Sequence, residues 1–159
     1  MSSFEPVVII FGCSKSISNV NLRLPISFTF STDESSLEKS ITNDPPSFDE
    51  CLQRYFIILL DSIDDEFFKQ IHNNHRVQLI YSRNEFNRVN QQHKLRPIRN
   101  KSWQQITLDL TFDVICFLTV EGDKQKNAEQ IRLAQVYYRQ ARLLKEWAMG
   151  LVKVFKIYS

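Results

Sequence analysis

Ile106-Thr107-Leu108-Asp109-Leu110-Thr111-Phe112-Asp113-Val114-Ile115-Cys116-Phe117-Leu118-Thr119-Val120 is the stretch on which the reading of the fold turns. Its alternate positions, from Ile106 through Phe112 to Val120, are all apolar, and the polar residues between them in the first half give way to Ile115 and Phe117 in the second. A period of two is the pattern of a pleated strand, so the stretch is predicted to be a strand passing from half-exposed to fully buried. Fifteen residues is long for a strand, and a bend or break is expected within it.

Beyond Glu121-Gly122-Asp123 the period changes to that of a helix. Leu133, Tyr137, Ala141, Leu144, Ala148, Leu151 and Phe155 form one apolar stripe, with Arg132, Arg139, Arg142 and Lys153 opposite, which predicts an amphipathic helix of some seven turns. Val136, Leu143, Trp147 and Val154 widen its apolar side. An apolar strip beside arginines has the composition of an interface.

Towards the N-terminus, Val7–Phe11 and the alternating Leu22–Phe30 read as strands, the second at an edge or bulged because Pro25 has no amide hydrogen. Residues 31–46, rich in Ser, Asp and Glu, read as a mobile acidic loop. Ser47-Phe48-Asp49-Glu50 has capping-box form and predicts a helix to about Leu60 with Phe48, Leu52, Tyr55, Phe56 and Leu59 on its buried face. A second helix over Asp64–His72 and a strand over Arg76–Tyr81 follow. This order predicts an α+β fold in a single domain over residues 1–159. It would have a small, mostly antiparallel sheet, helices packed on one face and a long amphipathic C-terminal helix.

Charge divides the chain at its midpoint. Residues 1–75 carry five Lys/Arg against eleven Asp/Glu, and residues 76–159 carry fifteen against seven. The basic excess is densest over residues 83–101, where Arg83, Arg88, Lys94, Arg96, Arg99 and Lys101 stand with His93 and six Asn/Gln against the single carboxylate of Glu85. Such a segment can contact phosphates and base edges, and Phe86 and Trp103 offer rings for stacking. Arg88 and His93 have the Arg-x4-His spacing that resembles the active motif of HEPN-fold ribonucleases. That resemblance implies an RNA-cleaving pair, one cationic and one acid/base. It covers six residues, and HEPN domains are all-helical whereas strands are expected on both sides here, which ranks it below the binding readings.

Other constellations point to no chemistry. Gly12-Cys13-Ser14-Lys15-Ser16 resembles the end of a phosphate loop, but it lacks the first glycine and no helix is expected after it. His72 and His75 have no supporting ligands at zinc spacing. Asp109 and Asp113 on a strand would stand about 13 Å apart, too far to act as a pair. Cys13, Cys51 and Cys116, odd in number and set in apolar surroundings, read as reduced, buried thiols in cytosol or nucleus. No secretory leader or membrane-length apolar run is evident.

The function expected is that of a non-catalytic intracellular interaction module, a subunit or adaptor. Its partner would be another protein, met through the basic segment and the C-terminal helix, including Arg132, Arg139 and Arg142. Nucleic-acid binding through residues 83–101 is the alternative. No cofactor, metal or membrane partner is expected.

Overall fold

The computed structural model describes residues 5–22, 26, 28–42, 53–83 and 94–158. Its sheet has five strands, all parallel, and this overturns the mostly antiparallel α+β reading. In chain order the elements are β1 (Glu5–Phe11), α1 (Ser14–Ser18), β2 (Phe28–Ser31), α2 (Glu34–Thr42), β3 (Gln53–Leu59), α3 (Asp65–Asn73), β4 (Val77–Ser82), β5 (Leu95–Pro97), α4 (Trp103–Asn127) and α5 (Ile131–Tyr158). Alternating strands and helices make an α/β fold, because each crossover helix returns the chain to lie parallel to its predecessor.

Two compact units result. The first, residues 1–21 and 26–100, holds the sheet with α1 to α3, and the second, residues 22–25 and 101–159, holds α4 and α5. The strands run in the order β2-β1-β3-β4-β5, one of the two common orders of doubly wound sheets. β1 and β3 pair along their whole length, from Glu5 with Gln53 to Phe11 with Leu59. Between β3 and β4 the register shifts where Tyr55 pairs with Val77 and Phe56 with Leu79.

Burial explains why the central strands lack alternation. Ile9, Phe11, Tyr55, Ile57, Leu59 and Ile80 form one core with Leu37 and Ile41 of α2 and Phe67, Phe68 and Ile71 of α3. Val8, Ile10, Phe56 and Ile58, on the other sheet face, are fully buried too. A strand covered on both faces needs apolar residues at every position, and Tyr55–Leu60 is such a run. The helix predicted to end at Leu60 is therefore strand β3, and its capping box, with Phe48 and Leu52, lies outside the described residues. The acidic segment likewise contains helix α2, started by Asp33, whose Oδ1 accepts from the Ser36 amide at 2.7 Å. Of the strand predicted over Leu22–Phe30, only Phe28–Phe30 fall in β2; Pro25 lies outside the described residues.

The strongest β signal is a helix. Ser102 caps α4 through a reciprocal capping box with Gln105: the Gln105 amide donates to Ser102 Oγ at 3.2 Å and the Ser102 amide to Gln105 Oε1 at 2.9 Å. Ile106, Leu110, Val114 and Leu118, four apart, are buried, whereas in the other half of the alternating set Leu108 is half-buried and Phe112, Cys116 and Val120 are exposed. A strict period of two contains a period of four, so one apolar series serves either element and only burial separates them. The Ala128–Gln130 turn closes α4 in a Schellman motif. The Gln130 amide reaches the Gln125 carbonyl at 2.8 Å, the Glu129 amide reaches the Lys126 carbonyl at 3.1 Å, and Glu129 sits at φ 62°.

The strand over β1, the helix over α3, the strand over β4 and the long C-terminal helix stand as predicted. Among the described residues, no helix is long and apolar enough to cross a membrane.

Candidate functional site

In a sheet of this order the chain leaves β1 towards β2 and leaves β3 towards β4. The carboxyl ends of β1 and β3 therefore bound the crevice where doubly wound sheets take ligands. The segment after β1 is Gly12-Cys13-Ser14-Lys15-Ser16, and a helix, α1, does follow it, though of only five residues. Just past β3 stands Asp61. Its Oδ2 accepts from the Cys13 amide at 2.6 Å and its Oδ1 from Ser16 Oγ at 3.1 Å. These bonds favour the charged form: the Cys13 amide, above all, holds the Asp61 carboxyl below the usual carboxylate range, with the charge of Arg83 adding to it and burial opposing. A Cβ on Gly12 would stand 3.1 Å from Leu60 Cβ and 3.2 Å from Asp61 Oδ2, so glycine lets β1 and the end of β3 approach.

This Asp61 knot is the feature that the sequence reading missed. Its only signal was an acidic residue directly after an apolar run, which reads as a strand-end site once Tyr55–Leu60 is known to be a strand. Chemically the knot pins the β1–α1 turn: both carboxylate oxygens are engaged by that turn. Cys13 and Cys116 are exposed, which corrects the reading of both as buried thiols; Cys51 lies outside the described residues.

The basic residues that are neighbours in sequence are carried to different places. Arg83 follows the carboxyl end of β4, near Asp61. Lys94 directly precedes β5, whose Leu95 pairs with Ile80 of β4, and its side chain reaches away from Arg83 towards the start of β4. There its Nζ donates to the carbonyls of His72 at 2.8 Å and Asn74 at 3.2 Å, closing the C-terminus of α3. Burial lowers the Lys94 pKa. Lys101 pairs with Asp109 at 2.6 Å, Arg96 and Arg99 are exposed, and Trp103 is half-buried. Arg88, His93 and Phe86 lie outside the described residues. On a helix Asp109 and Asp113 are one turn apart, so the strand-based separation between them no longer applies.

The second unit brings apolar and charged residues together on exposed helix faces. Ala134, Tyr137, Ala141, Leu144 and Ala148 are the buried side of α5. Tyr138 packs where a Cβ on Gly122 would stand, within 2.7 Å of its ring, and its hydroxyl donates to Asp123, which raises the Tyr138 pKa. On the far side of α5, Arg132, Val136, Arg139 and Leu143 follow at spacings of four, three and four and are all exposed, Val136 at 41% and Leu143 at 52%. Arg142 is exposed beside them, and Trp147 is half-buried. On α4 the exposed stripe is Phe112 at 48%, Cys116, and Val120 at 50%. The side chains of Val154 and Phe155 lie outside the described residues. Among the described residues no group of three or more His, Cys, Asp or Glu is placed to hold a metal ion. Compared with known protein families, curated proteins and solved structures, this chain matches none.

Proposed function

We propose that the chain is a non-catalytic protein-interaction module, a subunit or adaptor of cytosol or nucleus, that meets its partner through the outer face of α5. One observation carries this reading. Arg132, Val136, Arg139 and Leu143 alternate cation and apolar side chain along one exposed line of a helix whose opposite side is already buried. Large aliphatic groups held in water at the centre of a patch, with arginines around them, gain free energy when covered, and arginine is enriched where protein surfaces meet.

The nucleic-acid reading of residues 83–101 has less support, since Lys94 and Lys101 are already engaged by the α3 carbonyls and by Asp109. The test is quantitative capture from native cells, with wild type compared against a Val136→Ser/Leu143→Ser double variant. Partners that bind this face should be depleted at least tenfold by the variant, with the melting temperature nearly unchanged because both positions are exposed. An identical set of partners on both baits would refute the assignment of this face.

A further inference from the structure

The α4 stripe has a charge environment opposite to that of α5. α4 carries Asp109, Asp113, Glu121 and Asp123 against Lys124 and Lys126, whereas α5 carries six Lys/Arg against the single carboxylate of Glu146. The charges lie where the exposed apolar residues lie. Asp109 precedes Phe112 by three positions, Asp113 precedes Cys116 by three, and Asp123 follows Val120 by three, which sets all three carboxylates on the same half of the helix as the stripe. On α5, Arg132 and Arg139 each stand four positions before an exposed aliphatic, Val136 and Leu143.

Of the α4 carboxylates, Asp109 is already paired with Lys101, and Asp123 accepts from the Tyr138 hydroxyl. One chain therefore presents an apolar stripe on a helix of net negative charge and another, edged with arginines, on a helix of net positive charge. Both lie opposite in phase to the buried residues of their own helix, so the two stripes cannot cover each other within one copy. Resting on the reading of the α5 face as an interaction surface, we propose that its partner is a second copy of this chain, the α5 face of one copy packing along the α4 stripe of the next. Burying the aliphatic and aromatic groups supplies the attraction, and the opposed charges select α4 against α5 over like pairings, since like charges brought together cost free energy. A contact between two different faces is heterologous unless a two-fold axis brings both pairs together at once, so the assembly is either a dimer with two such contacts or an open chain of copies.

Sedimentation of the whole chain across concentration and salt tests this. With wild type, the mean mass should rise above that of the monomer as concentration increases, and added salt should lower it. The Val136→Ser/Leu143→Ser variant has lost the α5 face, and a Phe112→Ser/Val120→Ser variant has lost the α4 stripe. Each alone should remain monomeric, and an equimolar mixture should regain association because each supplies the face the other lacks. Should either serine variant fail to fold, as judged by circular dichroism, Arg139→Glu replaces it on α5 and Asp113→Arg on α4. Wild type that is monomeric at about 100 µM, or a mixture that fails to associate although wild type does, would overturn the proposal. If wild type is monomeric yet the α5 variant still loses a captured partner, self-association falls and the interaction reading of α5 survives. If capture too is unchanged, both fall.

Discussion

Gln53–Leu59 and Ile106–Val120 are both mostly apolar, yet the first is a strand and the second lies within a helix, and each carries the pattern associated with the other. Tyr55, Phe56 and Leu59 have helical spacing, but every residue from Tyr55 to Leu59 is buried because both sheet faces are covered. A run with no exposed face holds no periodic information, and its length, not its spacing, marks it as a strand. Ile106–Val120 has perfect alternation, but only Ile106, Leu110, Val114 and Leu118 of that series are buried. Its surplus apolar residues, Phe112, Cys116 and Val120, lie on the surface and mimic the second half of a strand pattern. Surface hydrophobics thus misled the reading at the very place where they are available for binding.

The largest expected effect breaks or sustains this contrast directly. Ile57→Ala and Ile58→Ala, on opposite sheet faces, should each cost about 2–5 kcal/mol, out of a total stability of about 5–15, because both side chains are fully buried. Phe112→Ala should cost no more than about 0.5 kcal/mol, its ring being half in water. Denaturant titration of the three variants checks this, and a loss at Phe112 equal to that at Ile57 would restore the strand reading.

A smaller effect belongs to the end of β3. Asp61→Ala removes the acceptor of the Cys13 amide and the Ser16 hydroxyl and should cost about 1–2 kcal/mol near neutral pH. The folded pKa of Asp61 is lowered, so its contribution is present above the unfolded value of about 3.9 and is lost as pH falls through the folded one. The stability gap between wild type and Asp61→Asn should accordingly close on acidification below about pH 4, and a gap constant with pH would show that the charge makes no contribution.

The smallest effect lies at the end of α4, where Glu129 adopts the left-handed conformation that a Schellman motif gives its C′ residue. Glu129→Gly should stabilise the hairpin by about 0.5–1 kcal/mol, raising the melting temperature by a few degrees.

How much was legible follows from where information is kept in a chain. β1, α3, β4 and α5 have boundaries or periods that only one element satisfies, and α5 in particular shows one buried line through Tyr137, Ala141, Leu144 and Ala148. The parallel sheet was hidden because its signal is an alternation of strand and helix, and exchanging β3 and α4 erases it. Asp61 was hidden for the same reason: a carboxylate at a strand end is recognisable only when the strand is. The basic segment failed in another way. Arg83, just after β4, stands near Asp61, whereas Lys94, just before β5, reaches the C-terminus of α3.

Cys116 tests the contrast most directly, since alternation puts it in the core of a strand and the helix puts it in the middle of the exposed α4 stripe. The measurement is the alkylation rate of Cys116 in dilute native protein carrying Cys13→Ser and Cys51→Ser, against the rate in denaturant. A native rate within about tenfold of the denatured rate is the expected result for an exposed thiol. A rate that falls by the full unfolding equilibrium, so that Cys116 reacts only when the whole protein opens, would contradict the exposed stripe and everything built on it.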